Sequence, residues 1–412
     1  MRKILIVGAG QSGLQLALTL RQHDYDVTVM SARTPDEIRA ARVMSTQCMF
    51  DDALTIERKH GVNLWDDVAP AITHQGFSLA GPDGDRALNW AGEWPGPAQS
   101  VDQRVKMARW LELFEEWGGK VIIHGVTTAD LNTLAGMYDL TIVAAGKGEL
   151  VELFDRDDSR SVHTRPQRAL SVAYLHGVRP RPELPGSVYV WMNIIPGIGE
   201  NINIPGYTLS GSCDILYMSG IPGGPFDAFS DRPDPYEQVR RHLELLKQYI
   251  PWEYERFKDA ELTDPKGTLT GGYPPVVRKP VGELPSGNIV LGMADVVVAN
   301  DPVTGQGSNN AARCAEVYLD GILGRADQPF DADWMRQTFE RYWEHARHVT
   351  RFTNMMLEPP PEHVQMILGA AQTNQVVADR FANGVNNPSD LSDWFFEPED
   401  AAAYLQRVTP GD

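Results

Sequence analysis

The chain opens on an apolar run at residues 3–7, Lys-Ile-Leu-Ile-Val. Glycines follow directly, and then a stretch whose apolar positions, Leu14, Ala17, Leu18 and Leu20, recur at helical spacing. This pattern predicts a strand, a tight turn and a helix. Residues 26–30, Asp-Val-Thr-Val-Met, predict the next strand. The opening segment therefore reads as one βαβ unit of a parallel sheet with a right-handed crossover.

Further along, residues 101–117 predict a helix that ends at Gly118-Gly119, and residues 120–124 a strand. The apolar run 140–145 suits a central parallel strand buried on both faces, with its Gly146 end at the ligand edge of the sheet. Between 167 and 218 the pattern becomes β-like, with strands expected at 169–175, 187–194 and 214–218 separated by Pro and Gly. A loop at 222–235, a helix at 236–249, a return strand at 288–293 and a helix at 307–323 follow. Two helices, 333–356 and 362–382, flank the break at Pro359-Pro360-Pro361.

The expected fold is α/β, a Rossmann-type dinucleotide-binding domain with an interleaved mixed β-sheet substrate domain and C-terminal helices. The expected division is 1–165 with a pocket segment inserted at about 45–100, then 166–280 as the mixed sheet. Residues 281–330 return to the first domain, and 331–412 form a helical region.

Composition narrows the classes. The formal charge of -18 opposes binding to nucleic acid or to anionic lipid, so a small uncharged substrate fits better. No apolar run is long enough to span a bilayer, and only four apolar residues follow Met1-Arg2-Lys3 before Gly8, too few for a secretory segment. The three cysteines, Cys48, Cys213 and Cys314, have no ligand-like spacing, so no disulfide framework and no metal site is expected. A cytoplasmic location fits these features.

Gly8-Ala9-Gly10-Gln11-Ser12-Gly13 matches G-x-G-x-x-G between strand and helix. The first glycine permits the turn, the second lets backbone approach a pyrophosphate, and the third lets helix and strand pack closely. The carboxylate usual at the end of the second strand is missing, and Ser31-Ala32-Arg33-Thr34 stands there instead. Two readings are open at this point: Arg33 meeting a 2'-phosphate of NADP, or an FAD whose adenosine end is held loosely. Asp295, followed by Asp301-Pro302-Val303-Thr304-Gly305-Gln306-Gly307-Ser308-Asn309-Asn310 opening a helix, favours flavin. The acid can accept from a ribityl hydroxyl, and a helix N-terminus stabilises negative charge at the pyrimidine edge of reduced flavin.

These segments resemble the FAD-binding core of the aromatic-hydroxylase flavoproteins, and more closely the styrene and indole monooxygenase family. The resemblance rests on Ile6-Val7-Gly8-Ala9-Gly10, Leu20-Arg21-Gln22-His23-Asp24, Asp26-Val27-Thr28-Val29 and Arg33-Thr34-Pro35-Asp36-Glu37. It continues through Val101-Asp102-Gln103-Arg104, Pro166-Gln167-Arg168-Ala169-Leu170 and the stretch from Asp301 to Gly307. It implies the oxygenase half of a two-component flavin monooxygenase: FAD arrives as FADH2 from a separate NAD(P)H-dependent flavin reductase. FADH2 then reacts with O2 to give a C4a-hydroperoxyflavin, and one oxygen atom passes to an electron-rich aromatic alkene or indole. Ala144-Ala145-Gly146-Lys147-Gly148 lacks the acid that single-component relatives use with pyridine nucleotides.

The resemblance also implies roles. Gly8, Gly10, Gln11, Ser12 and Gly13 hold the pyrophosphate, Asp295 the ribityl chain, and Gly305, Gln306, Gly307, Ser308 and Asn309 the isoalloxazine edge. Pro302 lines the face where oxygen and substrate meet. Ser45 and Thr46, standing where the family carries Asn-Thr, orient flavin or substrate, and Arg33, Arg42, Asp102 and Arg104 help seat the cofactor. Trp90, Trp94, Tyr189 and Trp191 suit either stacking on a small apolar aromatic substrate or ordinary core packing. Trp334, Phe339, Tyr342 and Trp343 read as helix packing, with a homodimer left open. Two other classes stay open: an FAD-dependent dehydrogenase or oxidase, and a redox-sensing flavoprotein without turnover. The absence of an evident base for abstracting a substrate proton weighs against the first.

Overall fold

Strand β1 (Lys3–Val7) has four consecutive buried residues after Lys3, as a strand covered on both faces requires. The computed structural model describes residues 2–146 and 148–408; Met1, Lys147 and the last four positions lie outside the described residues. Helix α1 (Gln11–Gln22) follows the glycine turn, and β2 (Asp26–Ser31) returns parallel to β1 with Ile4 opposite Val27 and Ile6 opposite Val29. The expected βαβ unit is thus present.

Its sheet has six strands. From one edge they run Val281–Glu283, Ile289–Gly292, Leu140–Val143, β1, β2 and Lys120–Ile123. All neighbours are parallel except the edge hairpin between the first two. Because β1 has β2 on one side and Leu140–Val143 on the other, the chain switches direction across the sheet beside the carboxyl end of β1. Open α/β sheets bind ligands at such a point.

The second sheet has eight strands. Its central path is Ala169–His176, Gly211–Gly220, Gly199–Thr208, Tyr189–Ile195, Ile72–Ala80 and Arg86–Ala98. Alternation decides its two faces. Val172, Tyr174, Ile215 and Tyr217 join the core beneath the C-terminal helices. Ala173, Leu175, Leu216 and Met218 pack instead with Leu246, Ile250 and Phe257.

Some elements escaped the hydrophobic pattern. Arg86–Ala98 carries Pro95 and Pro97 yet forms a strand, because it is the edge of its sheet and a proline there need not donate to a neighbour. The helix expected over 362–382 is two helices, Glu362–Ala371 and Gln375–Asn386. Asn374 caps the second by accepting from the Val376 N–H, and such caps compete with helix continuation. The return strand stops at Gly292, and residues 294–296 form a tight turn in which Ala294 has φ of +51°. Among the described residues no helix is long and apolar enough to cross a membrane.

Candidate active site

The glycine turn is built for contact between backbones. Gly8 has φ of +122°, and a Cβ there would sit 2.8 Å from the Ala144 carbonyl carbon. At Gly13 a Cβ would lie 2.2 Å from the Gly8 oxygen. A Cβ at Gly10, by contrast, would meet nothing within 4 Å. Two glycines therefore serve the fold, while the third borders open space. Gly10 caps α1 without a side-chain hydrogen bond, so the N–H groups of the first turn face that space uncovered by a cap. Gln11 donates to Glu57 at 2.8 Å and Ser12 is buried, which anchors the turn from behind.

Asp295 comes to the same edge. A Cβ on Gly146 would stand 2.8 Å from the Asp295 Cβ, so this exposed acid borders the exit of Leu140–Val143, beside Ala144 and Gly8. The left-handed Ala294 precedes it, with its N–H donating to the Cys314 sulfur at 3.4 Å. An L-residue in that region costs about 1–3 kcal/mol, so the surrounding packing enforces this bend.

The segment 301–310 forms the third piece. Asp301 accepts from the Val303 N–H at 3.0 Å and starts the turn Pro302–Thr304, and Gly305 then takes φ of +67°. Helix Gly307–Gly324 follows, with Gly307 exposed and Ser308 half-buried at its start. Gln306 donates to the Val385 carbonyl at 2.7 Å. Asn309 donates to the Cys48 carbonyl at 2.9 Å and accepts from the Phe50 N–H at 2.8 Å, tying residues 48–50 to this helix.

Against Pro302, Val303, Thr304 and Gly305 lies an apolar cavity. Its other walls come from distant segments: Cys48 and Phe50; Val190 and Met192; Ile202 and Ile204; Phe352 and Phe381. Val190 and Met192 face it because Tyr189 and Trp191 alternate with them and point to the opposite side of the sheet. Trp191 donates to Ser78 at 2.8 Å, Trp94 donates to the Ala382 carbonyl at 2.8 Å, and Trp90 stacks on Phe77 at 4.9 Å. All four aromatics singled out from the sequence are core residues outside the cavity lining.

The remaining sequence candidates divide. Thr46 lines the cavity, whereas Ser45 does not; its hydroxyl donates to Gln47 at 2.8 Å and its carbonyl accepts from Tyr174 at 2.8 Å. Arg33 and Arg42 are exposed, and among the described residues their side chains make no hydrogen bond or ion pair. Asp102 and Arg104 are each 1% exposed and bonded to one another, Nε to Oδ2 at 2.9 Å. Arg104 also grips Asp264 at 3.1 and 2.9 Å, and Thr208 donates to Asp102 at 2.6 Å. The physical content of this pair is a clamp between the two sheets' connections, fully engaged by protein partners.

Two features were invisible in the sequence. Gln75 lines the cavity on strand Ile72–Ala80, a segment whose alternation is interrupted by Gly76. Asp301 is 1% exposed, and burial pushes its carboxyl up to about 7, opposed by the Val303 N–H and by Arg168 and reinforced by Glu200. Cys48, although on the cavity wall, is held as a thiol because burial pushes it up to about 12.

Comparison with known proteins follows this geometry. Residues 146–256 match the family described as the styrene monooxygenase A substrate-binding domain. The styrene monooxygenase StyA of Pseudomonas fluorescens is 30% identical over 421 residues, covering 99% of each chain. A second styrene monooxygenase StyA, from a Pseudomonas species, is 30% identical with the same coverage. Among solved structures, the flavin-dependent brominase Bmp2 superposes with a TM-score of 0.67 at 15% identity, covering 98% of this chain and 99% of that one. The p-nitrophenol 4-monooxygenase PnpA of Pseudomonas putida DLL-E4 gives 0.65 at 11% identity, covering 94% and 99%. These structural likenesses bear on the fold, which is that of the Rossmann-type flavin enzymes.

Proposed function

The chain belongs to the styrene monooxygenase family and is a flavin-dependent monooxygenase, and from that premise we propose that it is the oxygenase component of a two-component system. It takes FAD reduced by a separate NAD(P)H-dependent flavin reductase and inserts one oxygen atom of O2 into an electron-rich aromatic alkene or indole.

The observation that carries this reading is the shared wall. Pro302 and Gly305 line the apolar cavity and also open the helix Gly307–Gly324, whose N-terminus suits the pyrimidine edge of a flavin. The fit to FAD is supported by the open space at Gly10 and by Asp295 on the same edge of the sheet. In this reading α1 holds the pyrophosphate through its first N–H groups, and Asp295 accepts from the ribityl chain. Gly305, Gln306, Gly307, Ser308 and Asn309 seat the ring, while Arg33 and Arg42, unpaired among the described residues, serve as cations at the cofactor's periphery.

Bound reduced FAD supplies the electrons that activate oxygen. The protein's part is to orient and to exclude water. Phe50, Val190, Met192 and Phe352 make the cavity dry, which protects reactive oxygen from wasteful loss, and Pro302 offers a rigid surface without an N–H. Cys48 is held as a thiol and no histidine stands on the cavity wall among the described residues, which leaves no evident nucleophile or base there, and oxygen insertion needs neither.

The test supplies ¹⁸O2, styrene or indole, NADH, FAD and a flavin reductase to the purified protein and analyses products by mass spectrometry. One ¹⁸O atom in the product, and none when the reductase is omitted, is the expected result. Hydrogen peroxide as the sole product of oxygen would overturn the oxygenase reading, and turnover with NADH alone would overturn the two-component one.

A further inference from the structure

The cavity is apolar except at a few points, and one of those is a buried amide without a protein partner. Gln75 is 4% exposed, and among the described residues its side chain makes no hydrogen bond. Its register explains where it looks. In the parallel pairing of Ile72–Ala80 with Tyr189–Ile195, Gln75 lies opposite Val190 and Phe77 opposite Met192. Val190 and Met192 both face the cavity, and Gln75 lines it beside them. Thr46, on another wall, has a hydroxyl that likewise has no partner among the described residues.

An amide left unpaired in an apolar enclosure is costly, and native proteins satisfy nearly all such groups. Some buried polar side chains of this sheet are paired, Asn193 with Asn201 at 3.0 Å and Trp191 with Ser78, while Trp90, Asn203, Tyr217, Ser219 and Thr268 each keep a buried polar atom without a partner among the described residues. What sets Gln75 apart is its place: its amide lies on the cavity wall, facing the space for substrate. A bare hydrocarbon in this cavity would displace water from the amide and return no hydrogen bond.

We propose that Gln75 selects an aromatic substrate bearing a hydrogen-bond donor, such as a ring N–H, over a hydrocarbon of the same shape. This rests on the oxygenase reading above and deepens it. The chemistry is consistent with that reaction: a ring becomes electron-rich when a heteroatom feeds its lone pair into the π system, and that heteroatom commonly carries a hydrogen. The Gln75 amide oxygen accepts that hydrogen, which fixes the ring's orientation toward Pro302. A site built around such a bond rejects analogues that lack the donor, because its own polar group is then stranded.

Indole and indene test the idea, since they differ chiefly in an N–H replaced by CH2. Their binding to the FAD-loaded protein is measured by titration calorimetry, for the native chain and for Gln75→Leu, with Gln75→Met as the closer match in volume should the first variant fold poorly. Indole is expected to bind about tenfold more tightly than indene to the native protein, a ratio in keeping with one buried hydrogen bond. In the variants the two ligands become equal and indene is not weakened. Equal affinities in the native protein, or a preference for indole that survives both substitutions, would overturn the proposal. Product analysis with the reductase separates the two claims: failure to oxidise either ligand removes the oxygenase reading, whereas the binding ratio alone decides the role of Gln75.

Discussion

The two sheets make their ligand spaces in different ways. Beside the six-stranded sheet the space is shaped by backbone: glycines at 8 and 13 allow approaches that a Cβ would block, and Gly10 borders the opening itself. Beside the eight-stranded sheet it is shaped by side chains, contributed in ones and twos by segments as distant as Phe50 and Phe381. A backbone device is compact in sequence and tolerates little change. A side-chain wall can be repacked one residue at a time, so it is the part free to alter substrate choice while the cofactor half stays fixed.

The strongest way to break this division is at the joint. Arg104 binds Asp102 and Asp264 and touches Thr208, so Arg104→Met strands the buried Asp102 carboxylate and the half-buried Asp264 where the two halves meet. Removing one partner of a buried pair typically costs about 3–5 kcal/mol. Denaturant unfolding should show a loss of that size. A change near zero would mean that the clamp is not what joins the halves.

On the cavity side the expected effect is pH-dependent. The Asp301 carboxyl is held up to about 7 against 3.8 for an ordinary aspartate. The groups facing it are Arg168, Glu200 and Tyr217. Its native form binds a proton that the unfolded chain has released across that interval, so its contribution is fully present below the lower value. Stability declines as pH rises through the window and the contribution is gone above the upper one. In flavin-free protein, Asp301→Asn should flatten this decline and gain roughly 1–3 kcal/mol at pH 8 relative to the native chain. Parallel pH profiles for the two proteins would show that Asp301 is ionised in the fold.

On the backbone side, Gly13→Ala and Gly10→Ala sharpen the comparison as a pair. The first drives a methyl against the Gly8 oxygen and should cost about 1–3 kcal/mol of stability together with flavin binding. The second meets no protein atom and should leave the melting temperature unchanged while FAD affinity falls. Equal thermal losses in both would dismiss Gly10 as a cofactor contact.

How much of this was legible in the sequence follows from the same contrast. The turn at residues 8–13, β1, β2 and the helix at 307 were readable because each is a local pattern of glycine and apolar spacing. The wall of the cavity was not, because Gln75, Met192 and Phe381 become neighbours only through strand register and through the packing of Gln375–Asn386 on the edge strand. The tryptophans at 90, 94 and 191 attracted notice as large aromatics, yet strand alternation and the core took them away from the cavity, leaving smaller Val190 and Met192 in their place. Asp102 and Arg104 stood close in sequence to a helix start, and only Asp264, far along the chain, reveals that they are already engaged.

The smallest effect concerns Asp295, where the two views meet. Sequence spacing put this acid at a strand end; the fold puts it just after the left-handed Ala294, in a turn packed against Gly146. A bend of that kind is maintained at an energetic cost, and its consequence is to hold an exposed carboxylate at the edge where the phosphate turn opens. If that is its purpose, Asp295→Ala should leave folding intact and weaken FAD binding by about tenfold, the size of one hydrogen bond to a charged acceptor. Equilibrium titration with oxidised FAD reads this directly. Ala294→Gly, which relieves the strained backbone but keeps the acid, should retain affinity within about a factor of three while raising stability by roughly 1 kcal/mol. Unchanged affinity in Asp295→Ala would remove the ribityl assignment, and a loss in Ala294→Gly as large as in Asp295→Ala would transfer the role from the carboxylate to the rigid turn that carries it.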